Sequence, residues 1–266
     1  MSSPKDIGLF LRRRNLVFIS VLLLIAAVAI AASLITEFDL LQSFAAFPKA
    51  IAWLANNFVP DQKALARLPT IMTKLGETIL VSVMATTTAA VVAFLMALLA
   101  STTTRPHPVF TVIVRAIASV FRNIPSAVWA LVFLMTIGQT MLTGFLALFL
   151  ETLGFLIRAF IDSIEETAAS SVEALHASGA TWGQTVAHAV VPSTSPQILS
   201  WMLYLLETNI RSATLVGILT GTGIGFLFDL YYKSLNYPSA ALVIIAIVIV
   251  VLLLELLSNA IRKVIL

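Results

Sequence analysis

The chain has 266 residues, 59% of them hydrophobic and only 11% charged, with a formal net charge of +3 and no cysteine. Its mean hydropathy is +1.01, and a charged fraction well below the roughly 25% of soluble domains cannot cover a water-facing surface. This excludes an ordinary soluble fold, a disulfide framework and a thiolate metal site, and points to a polytopic all-α membrane bundle forming one domain over 1–266. In such a chain the positive charge reads as loop bias rather than nucleic-acid affinity.

The first apolar run, Leu16 to Ile35, follows Arg12, Arg13 and Arg14. Small residues around Ala29 and Ala31 resemble a signal-peptide cleavage site. The run nevertheless has the length of a membrane span, so an uncleaved first helix is expected. About six spans are expected, near 16–36, 77–100, 126–142, 144–162, 195–219 and 238–260, with Gly138, Gln139 and Gly144 marking a tight turn between the third and fourth. Sheet is excluded because an open strand edge in lipid leaves backbone groups unpaired.

Lysine and arginine set the orientation. With both termini in the cytoplasm, Lys5, Arg12–Arg14, Arg105, Arg115, Arg122, Arg262 and Lys263 lie inside. Segment 1–60 then comprises the N-terminal helix and an outer stretch. The outer segment 37–75 is expected at the interface, as a partner surface or a cover for the bundle. The core is 70–266. Thr102 to Pro108 breaks the inner segment, and a helix bearing Arg115 and Arg122 ends at Ile124-Pro125. Glu77 is expected near a helix start, where the dipole favours it.

A polar insert, 163–192, interrupts the oily sequence. Ser163 with Glu166, and Ser170 with Glu173, both fit a capping box, and one of them is expected to start a helix. Gly179 fits the left-handed position that ends it. Thr181 with Gln184 fits a further capping box, and Pro192 and Pro196 bracket the start of the next span. The pattern is helix, sharp turn, helix, membrane, as a rigid lever or an ordinary cytoplasmic loop. Asp162, Glu165 and Glu166 read as a solvated face or a contact for a partner.

Glu173-Ala174-Leu175, Gly179 and Pro192 resemble the signature loop of ABC importer permeases: Glu-Ala-Ala, three residues, Gly, nine residues, an aliphatic, one residue, Leu, Pro. Leu175, Ala189 and Val191 depart from it, each by an apolar exchange. The resemblance extends from about Thr70 to Leu266. Asn209 to Gly217, including Thr214, then Gly221 to Gly225, together with Arg122-Asn123-Ile124-Pro125, look like the phosphonate-importer branch.

The resemblance implies a type I importer permease fold and a coupling helix seated in a separate ATPase dimer. It also implies a second permease copy, an extracytoplasmic binding protein, and alternating access for phosphonate or a related phosphorus oxyanion. ATP and Mg would belong to the ATPase. The chain's nearest approach to a phosphate loop, Gly179 to Thr185, is one residue short and has Gln in place of Lys.

Glu207 and Arg211 fall in the fifth span, where each charge costs about 2.5–3.5 kcal/mol. Four residues apart, they share a helix face, while Asn209 lies about 160° from Arg211. They read as a packing pair or, with Asn209 and Thr214, as a polar lining that offers Arg211 to an oxyanion. Gly217, Gly221, Gly223 and Gly225 read as a helix break or gate, or as close helix packing. His107, His176 and His188 are scattered, so no metal site is expected, and no nucleophile-base pair suggests catalysis. Alternatives left open are another small solute (phosphate or phosphite, sulfonate, methionine) and a membrane enzyme or receptor without an ATPase.

Overall fold

The computed structural model describes residues 4–265, and every regular element among them is helical. They fall into two compact units, divided between Asn57 and Phe58.

The first unit holds α1 (Pro4–Ile35) and α2 (Leu40–Asn57). Arg12–Ile35 is a candidate span with apolar side chains exposed on every face. A helix that is apolar all round is suited to lipid rather than to a folded interface. The turn between the helices is held by the Phe38 amide on Ser33 O at 3.0 Å. Helix α2 continues through Pro48 and gives the expected interfacial segment an actual helix.

The second unit runs from α3 (Gln62–Leu65) through α4 (Leu68–Ala100), α5 (Pro108–Asn123), α6 (Ser126–Ile137) and α7 (Met141–Thr167). It continues with α8 (Ala169–Ala177), α9 (Trp182–Thr185), α10 (Val191–Thr220), α11 (Gly223–Lys233) and α12 (Tyr237–Ile265). Helix α4 begins inside the stretch expected to lie outside the membrane, so Glu77 sits well within a helix. There it pairs with Lys74 at 2.8 Å instead of facing a helix start.

The centre of the unit is the packing of α4 against α7. Along α4 one stripe is built from Ser82, Ala85, Ala89, Ala93, Ala97 and Ala100, all fully buried. Such small residues let helix backbones approach closely where lipid supplies no hydrophobic drive for association. Against them α7 sets Leu156, Ile157, Phe160 and Ile164, which form the heart of the core. At one level three helices are tied by polar atoms: the Asn209 amide nitrogen on α10 donates to Thr86 Oγ1 on α4 at 2.8 Å and to Thr152 Oγ1 on α7 at 2.9 Å.

The expected third span is corrected. Helix α6 has 12 residues and ends at Gly138, too short for about 30 Å of hydrocarbon. It forms a pair with α5, bent by 90° at Ile124-Pro125. A second bent pair, at 56°, joins α11 to the helical stretch ending at Thr220. The chain therefore has four uninterrupted candidate spans among its described residues, or up to six if each bent pair crosses.

Candidate functional site: an exposed turn and a polar helix face

The insert is more continuous than its sequence suggests. Neither serine of the first two capping patterns begins a helix. Ser163 is buried within α7 and its hydroxyl donates to Ala159 O at 2.8 Å. Ser170 lies inside α8, whose preceding residue Ala168 has no side-chain cap. The reason is local: the Ala168 amide still bonds Ile164 O, and Ala168 O accepts from Val172. The helix kinks there without exposing a full set of free amides to cap.

The end of α8 is a glycine-dependent turn. Gly179 has φ +81°. Its amide donates to His176 O at 3.0 Å, and the Ala180 amide reaches Leu175 O at 3.1 Å. This pair of bonds is a Schellman closure, satisfying carbonyls that a helix end otherwise leaves open. Thr181 and Gln184 then form the expected capping box, with the Thr181 amide donating to Gln184 Oε1 at 2.8 Å.

From Trp182 the chain stays helical to Thr220, through α9, a π-turn at Val186–Val190 and α10. Pro192 and Pro196 do not break it. In the π-turn the Val191 amide bonds Val186 O, five residues back, and the wider spacing makes room just before Pro192. Pro196 has no N–H for Pro192 O, and the Ser195 hydroxyl donates to that oxygen at 3.3 Å. The expected second short helix and the next span are thus one rod, roughly 58 Å long at 1.5 Å per residue.

Helix α8 buries Val172 and half-buries Leu175 against the core, and leaves Glu173, Ala174 and Gly179 exposed. Leu175, one of the three departures from the signature, therefore packs on the chain's own bundle. Ala189, a second, is buried in the π-turn, while Val191 and Pro192 are exposed. Two bonds fix the insert to neighbouring turns. Trp182 Nε1 donates to Thr104 O at 2.9 Å. Glu165 accepts from the Thr102 amide at 2.8 Å and pairs with Arg115 at 3.2 Å. Glu165 is therefore a brace between α7, α5 and the turn after α4.

Within α10, Glu207 and Arg211 pair at 3.0 Å, with the Glu207 side chain 14% exposed and that of Arg211 54% exposed. Tyr204 and Leu215 continue this uncovered face. Asn209 does not share it, being 4% exposed in its clasp with Thr86 and Thr152. Thr214 is half-buried beside the contact between α10 and α11.

Next to Asn209 a cleft of about 110 Å³ is lined by Arg122, Glu151, Thr152, Tyr204, Thr208 and Ser212. Glu151 Oε2 accepts the Ser126 amide at 2.9 Å, capping α6 just beyond the 90° bend. Sequence reading passed over Glu151, although a carboxylate within an otherwise apolar span is itself a signal.

The four glycines divide into two jobs. Gly221 (φ +69°) and Gly223 (φ +61°) make the break between α10 and α11. Gly217 and Gly225 make the close contact that follows: a Cβ on Gly217 would stand 2.5 Å from Thr222 O, and one on Gly225 2.8 Å from Ile218 N and in collision with Thr214 O. Thr78 on α4 secures α11 by accepting the Ile224 amide at 2.9 Å.

A multi-pass bundle of apolar helices, with a polar face left open and an exposed helical turn joined rigidly to it, is the construction of a membrane transport subunit. A family model of the binding-protein-dependent transport system inner membrane component matches residues 89–266. The phosphate-import permease protein PhnE of Mycolicibacterium smegmatis is 34% identical over 190 residues, 71% of this chain, which spans 36% of that protein's length. The phosphite transport system permease protein PtxC of Stutzerimonas stutzeri is 31% identical over 187 residues, 70% of this chain and 68% of that protein. An inward-facing structure of the MetNI methionine ABC transporter shares the fold, with a TM-score of 0.65 and 20% identity over 74% of this chain and 96% of that one. The chain belongs to the family of binding-protein-dependent transport system inner membrane components. Its part in such a system is that of a multi-pass membrane component.

Proposed function

We propose that the chain is the permease of an ATP-driven importer of phosphorus oxyanions (phosphonate, phosphite or phosphate), acting as a homodimer with both termini in the cytoplasm. The names of its relatives support this solute class, and the binding protein that delivers the solute sets the choice within it. The observation that carries the reading is the Glu207–Arg211 pair on α10, whose guanidinium is left open while its carboxylate is largely covered. Charged groups in a membrane helix face a bundle interior or a water-filled cavity. Among the described residues of the second unit no helix covers the Arg211 side chain, which is 54% exposed, so a second copy supplies the missing wall and the two α10 faces enclose the path. Glu207 holds the guanidinium in place, and the guanidinium is the one strong donor on that face for a passing oxyanion. Asn209, Thr214 and the cleft at Arg122 form the supporting wall.

Glu173, Ala174, Gly179 and Pro192 form the surface for the ATPase, where ATP and Mg bind, and Leu175 holds that surface to the bundle. The glycines at 217, 221, 223 and 225 form the hinge at the opposite end of the rod. The test is uptake in proteoliposomes holding the permease, its ATPase and its binding protein. Arg211→Ala should abolish uptake while the complex still purifies intact. Uptake at the wild-type rate in that variant would remove Arg211 from the path.

A further inference from the structure

The last turn of α12 carries Arg262, and its side chain is half-buried. Its Nε and Nη2 are enclosed and have no hydrogen-bond partner among the described residues. Arginine cannot shed its proton to escape such a site, and a charged donor left unmet costs more than a neutral one. The position therefore calls for an acceptor.

Arg262 opens onto a cleft of about 460 Å³ between α10 and α12, lined also by Gln197, Ser200, Trp201 and Tyr204. That volume lies within the range of about 300–1,000 Å³ typical of small-ligand sites. The lining offers a guanidinium, an amide and hydroxyls, and no carboxylate. A guanidinium fork matches two oxygens of a phosphoryl group, and the amide and hydroxyls can donate to the others. Trp201 and Tyr204 meet edge to face at 6.1 Å and present apolar surface for whatever substituent the phosphorus carries. Arg262, in the last turn of α12, stands where basic residues meet lipid headgroups.

We propose that the cleft between α10 and α12 is a binding site for a phosphoryl oxyanion, anchored by Arg262. The oxyanion comes either from an anionic lipid headgroup or from free phosphate on the side of the membrane where α10 begins. The cleft shares Tyr204 with the Glu207–Arg211 face, but its anchor Arg262 does not belong to that face, so the site survives even if the transported solute is of another class.

The experiment uses the purified complex and has two arms. In the first, native mass spectrometry counts phosphatidylglycerol against phosphatidylcholine retained from a mixed membrane. In the second, inorganic phosphate is titrated in phosphatidylcholine nanodiscs while tryptophan fluorescence is followed, with Trp201→Phe identifying the responding ring. Saturable binding in the first arm names a lipid, and in the second a free anion. Arg262→Gln should weaken whichever is seen by about tenfold or more. Arg262→Lys should recover part of it, since the charge remains and the fork is lost. Ser200→Leu, which fills the cleft and leaves the arginine, should weaken it as well and serves if Arg262→Gln fails to assemble. Silence in both arms, as when a carboxylate of the second copy occupies the cleft, overturns the proposal. So does unchanged binding in a folded Arg262→Gln complex.

Discussion

Replacing Gly179 by alanine isolates one physical quantity. A Cβ at this position meets nothing within 4 Å, and φ is +81°, so within the chain the penalty is backbone strain alone. An L-residue in the left-handed region costs about 1–2 kcal/mol. The two closing bonds, Gly179 N to His176 O and Ala180 N to Leu175 O, form only in that conformation. A cost of that size lowers the ratio of closed to open turn by about 5- to 30-fold. Asparagine tolerates the same conformation better than alanine, although it is larger. The expected order of coupling, measured as solute imported per ATP hydrolysed in proteoliposomes, is therefore glycine, then asparagine, then alanine, with β-branched valine last. Crowding against a docked ATPase would instead rank asparagine below alanine. That inverted order, or wild-type coupling in the valine variant, would refute the claim that the left-handed turn sets the lever.

Gly225→Ala drives a methyl group into the backbone of α10 near Thr214 and Ile218, and should lower the thermal midpoint in detergent by the equivalent of about 1–3 kcal/mol. Gly76→Ala, in α4 with open space around it, should leave that midpoint unchanged or raise it by helix propensity. Asn209→Leu removes the clasp among α4, α7 and α10, and should cost about 0.6–1.7 kcal/mol in membrane unfolding measurements. Glu165→Gln loses the ion pair with the half-exposed Arg115 but keeps an acceptor for the Thr102 amide, so a stability change under about 1 kcal/mol is expected. Glu165→Ala removes both and should cost more in the same measurement.

The sequence carried the class of the fold and the chemistry of the insert because both rest on local signals. Hydropathy marked the spans, and Gly179 marked the turn since few other residues take its conformation. Glu207 and Arg211 could be paired from their spacing. What escaped was set by tertiary contact. Ser163 and Ser170 match a capping pattern, yet the helix merely bends at Ala168. Pro192 and Pro196 mark the start of a span, yet a π-turn joins that span to the helix before it and the Ser195 hydroxyl meets the carbonyl that Pro196 leaves open. The sequence does not show that the Asn209 amide is held by Thr86, 123 positions away. The amide at the start of α6 is met by Glu151, 25 positions further along the chain. No window along the sequence contains both members of such a pair.

The uninterrupted helix from Trp182 to Thr220 bears on how force can travel. A hinge at Pro192 would let the exposed turn move while the Glu207–Arg211 face stayed still. Instead the indole of Trp182 is tied to the turn after α4, the π-turn is filled by buried Ala189 and Val190, and no glycine interrupts α10 before Gly217. Displacement of the turn must then appear as rotation or translation of the whole of α10. Its compliant end lies beyond Gly217, where the chain changes direction by 56°. There α11 is held to α4 through Thr78, so α10 moves against a fixed neighbour across the Gly217 and Gly225 contact. Backbone packed on backbone at that contact resists gradual deformation, which favours two discrete arrangements over a continuum. Under the proposed function these are the two access states. A second glycine pair built into mid-α10, at Ser200 and Leu206, would test this by adding flexibility upstream of the ion pair: ATP hydrolysis should persist while uptake falls, and unimpaired uptake would mean that force reaches the path by another route.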